Sequence, residues 1–189
     1  MTTPVADVER WSALKVWFFS LFHKTPKSNL AAVDRMALRP EDRFLDLGCG
    51  LGAALEHAAA TGAKAAGIDP SPSMVERAAQ RVPQAEVLLG SAESLPFEDD
   101  SFTAAISVST YHHWADAEAG LNEVRRVLAP GGRLLIVERK LKRGTGHGLD
   151  DVGGESLARL LESNGYGTVE VETIKVGRAE YLAVSGAEP

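Results

Sequence analysis

Three stretches of the 189-residue sequence bring together side chains able to do chemistry. In the first, residues 44–55 read Phe-Leu-Asp-Leu-Gly-Cys-Gly-Leu-Gly-Ala-Ala-Leu, so an acid, Asp46, stands just before Gly48, Gly50 and Gly52. Glycines spaced by two let the backbone turn sharply and remove the Cβ atoms that would hold a ligand off. An acid there repels a pyrophosphate but can hold a cation, and the spacing is tighter than the Gly-x-Gly-x-x-Gly of a dinucleotide turn. The only cysteine, Cys49, lies inside the turn. With no histidine near it in sequence, it reads as a small filler rather than a nucleophile. In the second stretch, Tyr111, His112 and His113 are the only clustered general-base candidates. The third is Asp69, which ends an apolar run 17 residues after Gly52 and can accept hydrogen bonds from ribose hydroxyls. A nicotinamide-binding fold uses an acid the same way, so Asp69 speaks for an adenosine ligand without choosing the cofactor. A single cysteine excludes an internal disulfide and a cysteine metal cluster, and no metal site is expected.

These residues need elements to hold them. Phe44, Leu45 and Leu47 are apolar on both parities, as a strand covered on both faces requires. Ala53 to Leu55 open a helix whose free N–H groups face the glycine turn, and Thr61-Gly62 end it. A strand over 63–68 follows. Ser71 can N-cap a helix with Pro72 at its first position, and Pro83 stops it. Strands are predicted over 86–89 and 102–108, separated by an acidic turn at 98–101. The helix over 116–128 carries Leu121, Val124, Val127 and Leu128 on one face. Residues 129–132, Ala-Pro-Gly-Gly, break it before a strand over 133–137 that ends at Glu138. Residues 139–154 are glycine-rich, with Lys140, Lys142 and Arg143 together, and read as a solvated loop that can also attract an anion. A helix over 155–163 precedes two closing strands, 168–175 and 179–185.

The N-terminal part is set apart by its aromatics. Residues 5–22 read as a strongly apolar helix holding two of the three tryptophans, Trp11 and Trp17, which cannot stand alone in water. An extra core layer, a lid with aromatic walls over the site, and a dimer contact all remain open; the basic face of a membrane-surface helix is missing. A second short helix is predicted over 28–37. The whole chain suits one domain with a proper core, and 44% hydrophobic with 24% charged residues is ordinary soluble composition. A net charge of −6 argues against non-specific nucleic-acid binding. No secretory signal or membrane-length apolar run is visible, so cytoplasm is the expected compartment.

The acid followed by Gly48, Gly50 and Gly52 resembles the first motif of the class I S-adenosylmethionine-dependent methyltransferases. The resemblance continues in Gly67-Ile-Asp-Pro-Ser-Pro-Ser-Met74, in Gly90-Ser-Ala-Glu-Ser-Leu-Pro-Phe97, and in Glu123 through Val137. It covers about residues 40–185. His112-His113-Trp114 is similar to a segment of the quinone-methylating members. The resemblance implies a Rossmann-like, doubly wound α/β sheet of seven strands, the last two an antiparallel pair, with helices on both faces. It implies S-adenosylmethionine as cofactor and S-adenosylhomocysteine as product.

On that pattern Asp46, Gly48, Cys49, Gly50, Gly52 and the backbone after Ser109 take the methionine end; Asp69 and Pro70 lie at the ribose; Ser91, Ala92 and Glu93 lie at the adenine. Met74 packs on adenine or serves the core. Ser91 departs from the family, which commonly has Asp there; a neutral, shorter acceptor costs on the order of 1 kcal/mol. The sequence therefore divides into N-terminal helices over 1–39, a lid or cap, and a methyltransferase domain over 40–189. The expected activity is direct in-line methyl transfer to a small acceptor, flat or apolar, with His112, His113 or Tyr111 as base if a proton must leave. The alternative is a silent S-adenosylmethionine- or S-adenosylhomocysteine-binding module that acts through a partner. No nucleic acid and no stable membrane insertion are expected, and the aromatic N-terminal helix offers a homodimer contact.

Overall fold

A computed structural model of the chain describes residues 27–142 and 146–189. The predicted aromatic helix over 5–22, with its lid and dimer readings, lies outside the described residues. The elements run in the order α1 (Lys27–Met36), β1 (Arg43–Leu47), α2 (Ala53–Ala59), β2 (Lys64–Asp69), α3 (Pro72–Arg81), β3 (Glu86–Leu89) and β4 (Phe102–Val108). A 3-10 turn (Tyr111–His113) then leads to α4 (Ala117–Val127), β5 (Leu128–Arg139), α5 (Asp151–Ser163), β6 (Gly167–Val176) and β7 (Ala179–Ala187).

The strands form one seven-stranded sheet in the order β3-β2-β1-β4-β5-β7-β6. The first five are parallel; β7 runs antiparallel to both β5 and β6. The strand order reverses between β1 and β4, the place where such sheets open a ligand crevice at the carboxyl ends of their strands. This is the doubly wound α/β architecture with a closing antiparallel pair that the motifs imply.

Alternation along the strands divides the core. Phe44, Ile106 and Val137 point into a cluster with Val33 and Met36 of α1 and Leu55 of α2. Leu45, Leu134 and Ile136 point the other way, onto Leu121 and Val124 of α4 and Leu157 of α5. Residues of α1 thus pack in the domain's core. Packing of Val33 and Met36, each nearly fully buried, contributes roughly 1.5–3 kcal/mol per side chain.

Two segments differ from the sequence expectation. The helix ends at Val127, ahead of the Ala-Pro-Gly-Gly stretch as expected, but that stretch is carried in β5 as an irregularity rather than preceding it. Pairing with β4 jumps from Phe102↔Leu128 to Ala104↔Arg133, Gly131 takes φ +76°, and Gly131 N–H and Gly132 O bond to Glu188. The final helix starts at Asp151 rather than 155 because Asp150 caps it, its Oδ1 accepting the Gly153 N–H at 2.9 Å. Gly154 lets that helix settle on β7: a Cβ there would lie 3.1 Å from Leu182 Cδ1. The edge strand β6 has a register shift between Gly167 and Glu170, with Thr168 at φ 51°.

Candidate functional site

The glycine turn links β1 to α2 in three left-handed steps, Gly48 (φ +78°), Gly50 (φ +50°) and Gly52 (φ +76°). Each glycine serves a different need. A Cβ on Gly48 would lie 2.5 Å from Thr110 Cγ2, so Gly48 is required by the loop after β4. A Cβ on Gly52 would press on Ala78 of α3 at 3.2 Å, so Gly52 is required by helix packing. A Cβ on Gly50 would meet nothing within 4 Å; Gly50 borders open space. The Gly48 and Cys49 N–H groups both donate to Ile68 O at 2.9 Å, which pins the turn to β2.

Asp46 lies on the same face of β1 as Phe44, and only 1% of it is exposed. Its Oδ2 is buried without a partner among the described residues. Burial, and then the charge of Asp69, push its carboxyl up to about 7. A buried carboxylate with no donor is costly unless a cation completes it. Asp69, 8% exposed, has both oxygens engaged: Oδ2 accepts from Gly50 N–H and Oδ1 from Ser71 N–H, each at 2.9 Å. Burial raises its carboxyl, and those two N–H groups act the other way. Each oxygen keeps a lone pair for a ligand hydroxyl. Ser71 stands at the N-cap position of α3 as predicted, but its side chain makes no cap bond and its Oγ is buried without a partner.

The other predicted residues fall in several settings. Cys49 is buried, with its Cβ and Sγ packed under Gly67, and burial together with Asp46 and Asp69 pushes its thiol up, away from nucleophilic use. Pro70 follows Asp69 directly at the end of β2, and Met74 is buried in α3. Ala92 is buried and Ser91 half-buried in a tight loop closed by Ser94 N–H to Ser91 O. Glu93 is used within the protein: its Oε1 accepts from Ala115 N–H at 2.7 Å and from Asp116 N–H at 3.4 Å. Ser109 takes φ 56°, and its N–H donates to Val137 O at 2.8 Å.

Two anchors were not singled out from sequence. Thr110 Oγ1 donates to Leu47 O at 2.8 Å and bonds Ser107 Oγ at 2.7 Å, which fixes its methyl group over Gly48. Glu123 and Arg126 of α4 hold the 95–99 loop: Glu123 Oε2 accepts from Leu95 N–H, and Arg126 donates to Leu95 O, Phe97 O and Asp99. The charged pair three residues apart, Glu123 and Arg126, was the available signal.

Beyond β4, Tyr111, His112 and His113 form the 3-10 turn, with Tyr111 edge-on to Trp114 at 5.2 Å. Burial, then Glu138, push the Tyr111 hydroxyl up, so it is a poor base near neutrality. His112 is better placed. Its Nδ1 lies 2.8 Å from Oε2 of Glu138, a residue with no solvent exposure. The carboxylate fixes the ring and leaves Nε2 facing outward. His147, in the loop read as solvated, brings Nδ1 within 3.2 Å of that Nε2. Ring centroids of His112 and His113 are 4.0 Å apart. In the basic stretch after β5, Lys140 is taken by Asp151 at 2.6 Å and Thr173 at 3.1 Å. A groove of about 850 Å³ lies beside it, lined by both signs of charge, Arg139, Lys142 and Arg178 with Asp150, Asp151 and Glu180, away from the glycine turn.

The arrangement can hold a cationic, hydroxyl-bearing ligand at the β1 and β2 ends and present an oriented imidazole at the β4 and β5 ends. Residues 45–136 match the methyltransferase domain family. An uncharacterised methyltransferase of Synechocystis sp. is 36% identical over 135 residues, 70% of this chain and 61% of that one. Demethylmenaquinone methyltransferase of Beutenbergia cavernae is 37% identical over 108 residues, 57% of this chain and 45% of that one. The chain spans between about a third and three fifths of the length of the curated relatives it matches. Phosphoethanolamine N-methyltransferase 2 of Haemonchus contortus, solved with phosphomonomethylethanolamine and S-adenosylhomocysteine, shares the fold at TM-score 0.80 and 18% identity, over 97% of this chain and 59% of that one.

Proposed function

We propose that this chain is a class I S-adenosylmethionine-dependent methyltransferase, a reading supported by its similarity to methyltransferase sequences and by its fold, and that it transfers a methyl group to a small-molecule acceptor. The observation that carries the cofactor reading is Asp46, a buried carboxylate with an unpartnered oxygen at a turn whose Gly50 borders open space. That is the setting a cationic amino-acid end needs. When bound, the cofactor supplies an electrophilic methyl carbon on a sulfonium. Asp46 balances the positive charge, and Gly48 and Gly50 let the backbone approach. Asp69 receives ribose hydroxyls on its remaining lone pairs, while Ser91 and Ala92 border the adenine.

On the acceptor side, Glu138 holds His112 so that Nε2 can take a proton from an acceptor hydroxyl as the new bond forms. A buried acid behind a base favours catalysis over the silent binding-module alternative. Alignment and exclusion of water supply the rest of the rate. Demethylmenaquinone methyltransferase, as its name states, serves a quinone, and a flat acceptor is the class proposed here.

The test is calorimetric titration of the full chain with S-adenosylmethionine, S-adenosylhomocysteine and NAD. Micromolar binding of the first two supports the reading. NAD binding without S-adenosylmethionine binding overturns it.

A further inference from the structure

We propose that His112, His113 and His147 form a site for one divalent transition-metal cation of the zinc class, with a coordination position left open for the acceptor's oxygen. No metal is expected from the sequence alone. Only folding brings His147, on the chain after β5, against the turn after β4. One ring nitrogen from each of the three lies within 4.8 Å of the others. The 3.2 Å between His112 Nε2 and His147 Nδ1 is close to the roughly 3.3 Å between two imidazole nitrogens that share a tetrahedral zinc at about 2.0–2.1 Å.

Three further features fit. Glu138, fully buried, accepts a hydrogen bond from His112 Nδ1–H and so leaves the Nε2 lone pair outward; carboxylates set behind ligating histidines do this at metal centres. The loop that carries His147 is tied at its base, with Leu141 N–H to Leu149 O at 2.8 Å and Leu149 N–H to Arg139 O at 3.0 Å. Gly148 permits that closure, since a Cβ there would sit 2.2 Å from Arg139 O. Finally, three imidazoles without thiolate suit zinc, cobalt, nickel or copper, and a three-ligand set leaves room for a substrate oxygen.

The role, though not the existence, of the site rests on the methyl-transfer reading. An acceptor hydroxyl bound to the cation loses its proton to solvent more readily. The oxygen's electron pair then forms the C–O bond to the methyl carbon, while the C–S bond breaks and its pair returns to sulfur. With the cation in place His112 is a ligand, and the cation replaces it in activating the acceptor.

The experiment uses tag-free full chain stripped with a chelator. Zn²⁺ is titrated calorimetrically and Co²⁺ by visible absorption, and S-adenosylmethionine is titrated into the same preparation. One cation per chain, with the intense bands of tetrahedral Co²⁺, is expected. Glu138→Gln should weaken Zn²⁺ binding about ten- to hundredfold, and His147→Ala by at least as much. His57→Ala, remote from the cluster, should leave it unchanged. His147 is exposed, so its variant decides the matter should His113→Ala fail to fold. Absence of Zn²⁺ binding, or binding unchanged in His147→Ala, overturns the metal site. If S-adenosylmethionine still binds in that case, the methyl-transfer reading stands with His112 as base.

Discussion

Replacing Asp46 by Asn separates what the acid costs the protein from what it does for the ligand. Unfolded, the carboxyl titrates at its ordinary 3.8; folded, burial and Asp69 push it up to about 7. Below the lower value both states are protonated and Asp46 contributes no difference. Between the two values the unfolded chain has released a proton that the folded chain retains. Stability therefore falls as pH rises through this window and levels off above about 7. Three pH units at about 1.36 kcal/mol each set an upper bound of about 4 kcal/mol on the loss. Asn lacks this penalty. In urea unfolding of the ligand-free protein, the variant should gain on the parent steadily from pH 4 to pH 7, then run parallel. With S-adenosylmethionine the order reverses: losing a charge-assisted bond of about 1.5–3 kcal/mol should weaken affinity roughly ten- to hundredfold. At pH 7, binding to the parent should also release about half a proton per chain, read as a dependence of the calorimetric heat on the buffer's ionisation enthalpy. Parallel pH–stability curves for parent and variant would refute the reasoning, because Asp46 would then be titrating as an ordinary acid.

Three further outcomes follow from the contacts. Gly48→Ala should cost several kcal/mol in chemical denaturation, as it adds a clash with Thr110 to about 1–2 kcal/mol of left-handed strain; Gly50→Ala should cost only the strain yet still lose cofactor binding. Arg126→Ala should free the 95–99 loop, seen as faster amide hydrogen exchange at Leu95 N–H and a several-fold loss of cofactor affinity. Glu138→Gln should release the His112 ring, so that nitrogen-15 spectra lose a single Nδ1-protonated tautomer and turnover drops about ten- to hundredfold.

The candidate cofactor half of the site was legible because its determinants are local. Asp46, the three glycines and Asp69 lie at strand ends that alternation and turn residues mark out, and the sheet order follows from the βα repeat. The acceptor half was less so. Glu138 was visible as a strand end at the crevice, but its bond to His112 spans β4 and β5, and His147 sits in a glycine-rich stretch that reads as solvated. Thr110 carried no signal of its own because its role depends on the position of Gly48, more than sixty residues away. The start of α5 was misplaced because Gly153 and Gly154 signal a loop; the Asp150 cap and the close approach to Leu182 outweigh that propensity.

The outer edge of β6 has a bearing on assembly. A free strand edge is a template for pairing with another chain. Here the kink at Thr168 takes the strand out of regular register, and Glu170, Glu172 and Lys175 are exposed along it, with Glu172 held by Arg35 of α1. Two copies brought edge to edge would set acids against acids on a chain that already carries a net −6. Sheet extension across this edge is therefore discouraged.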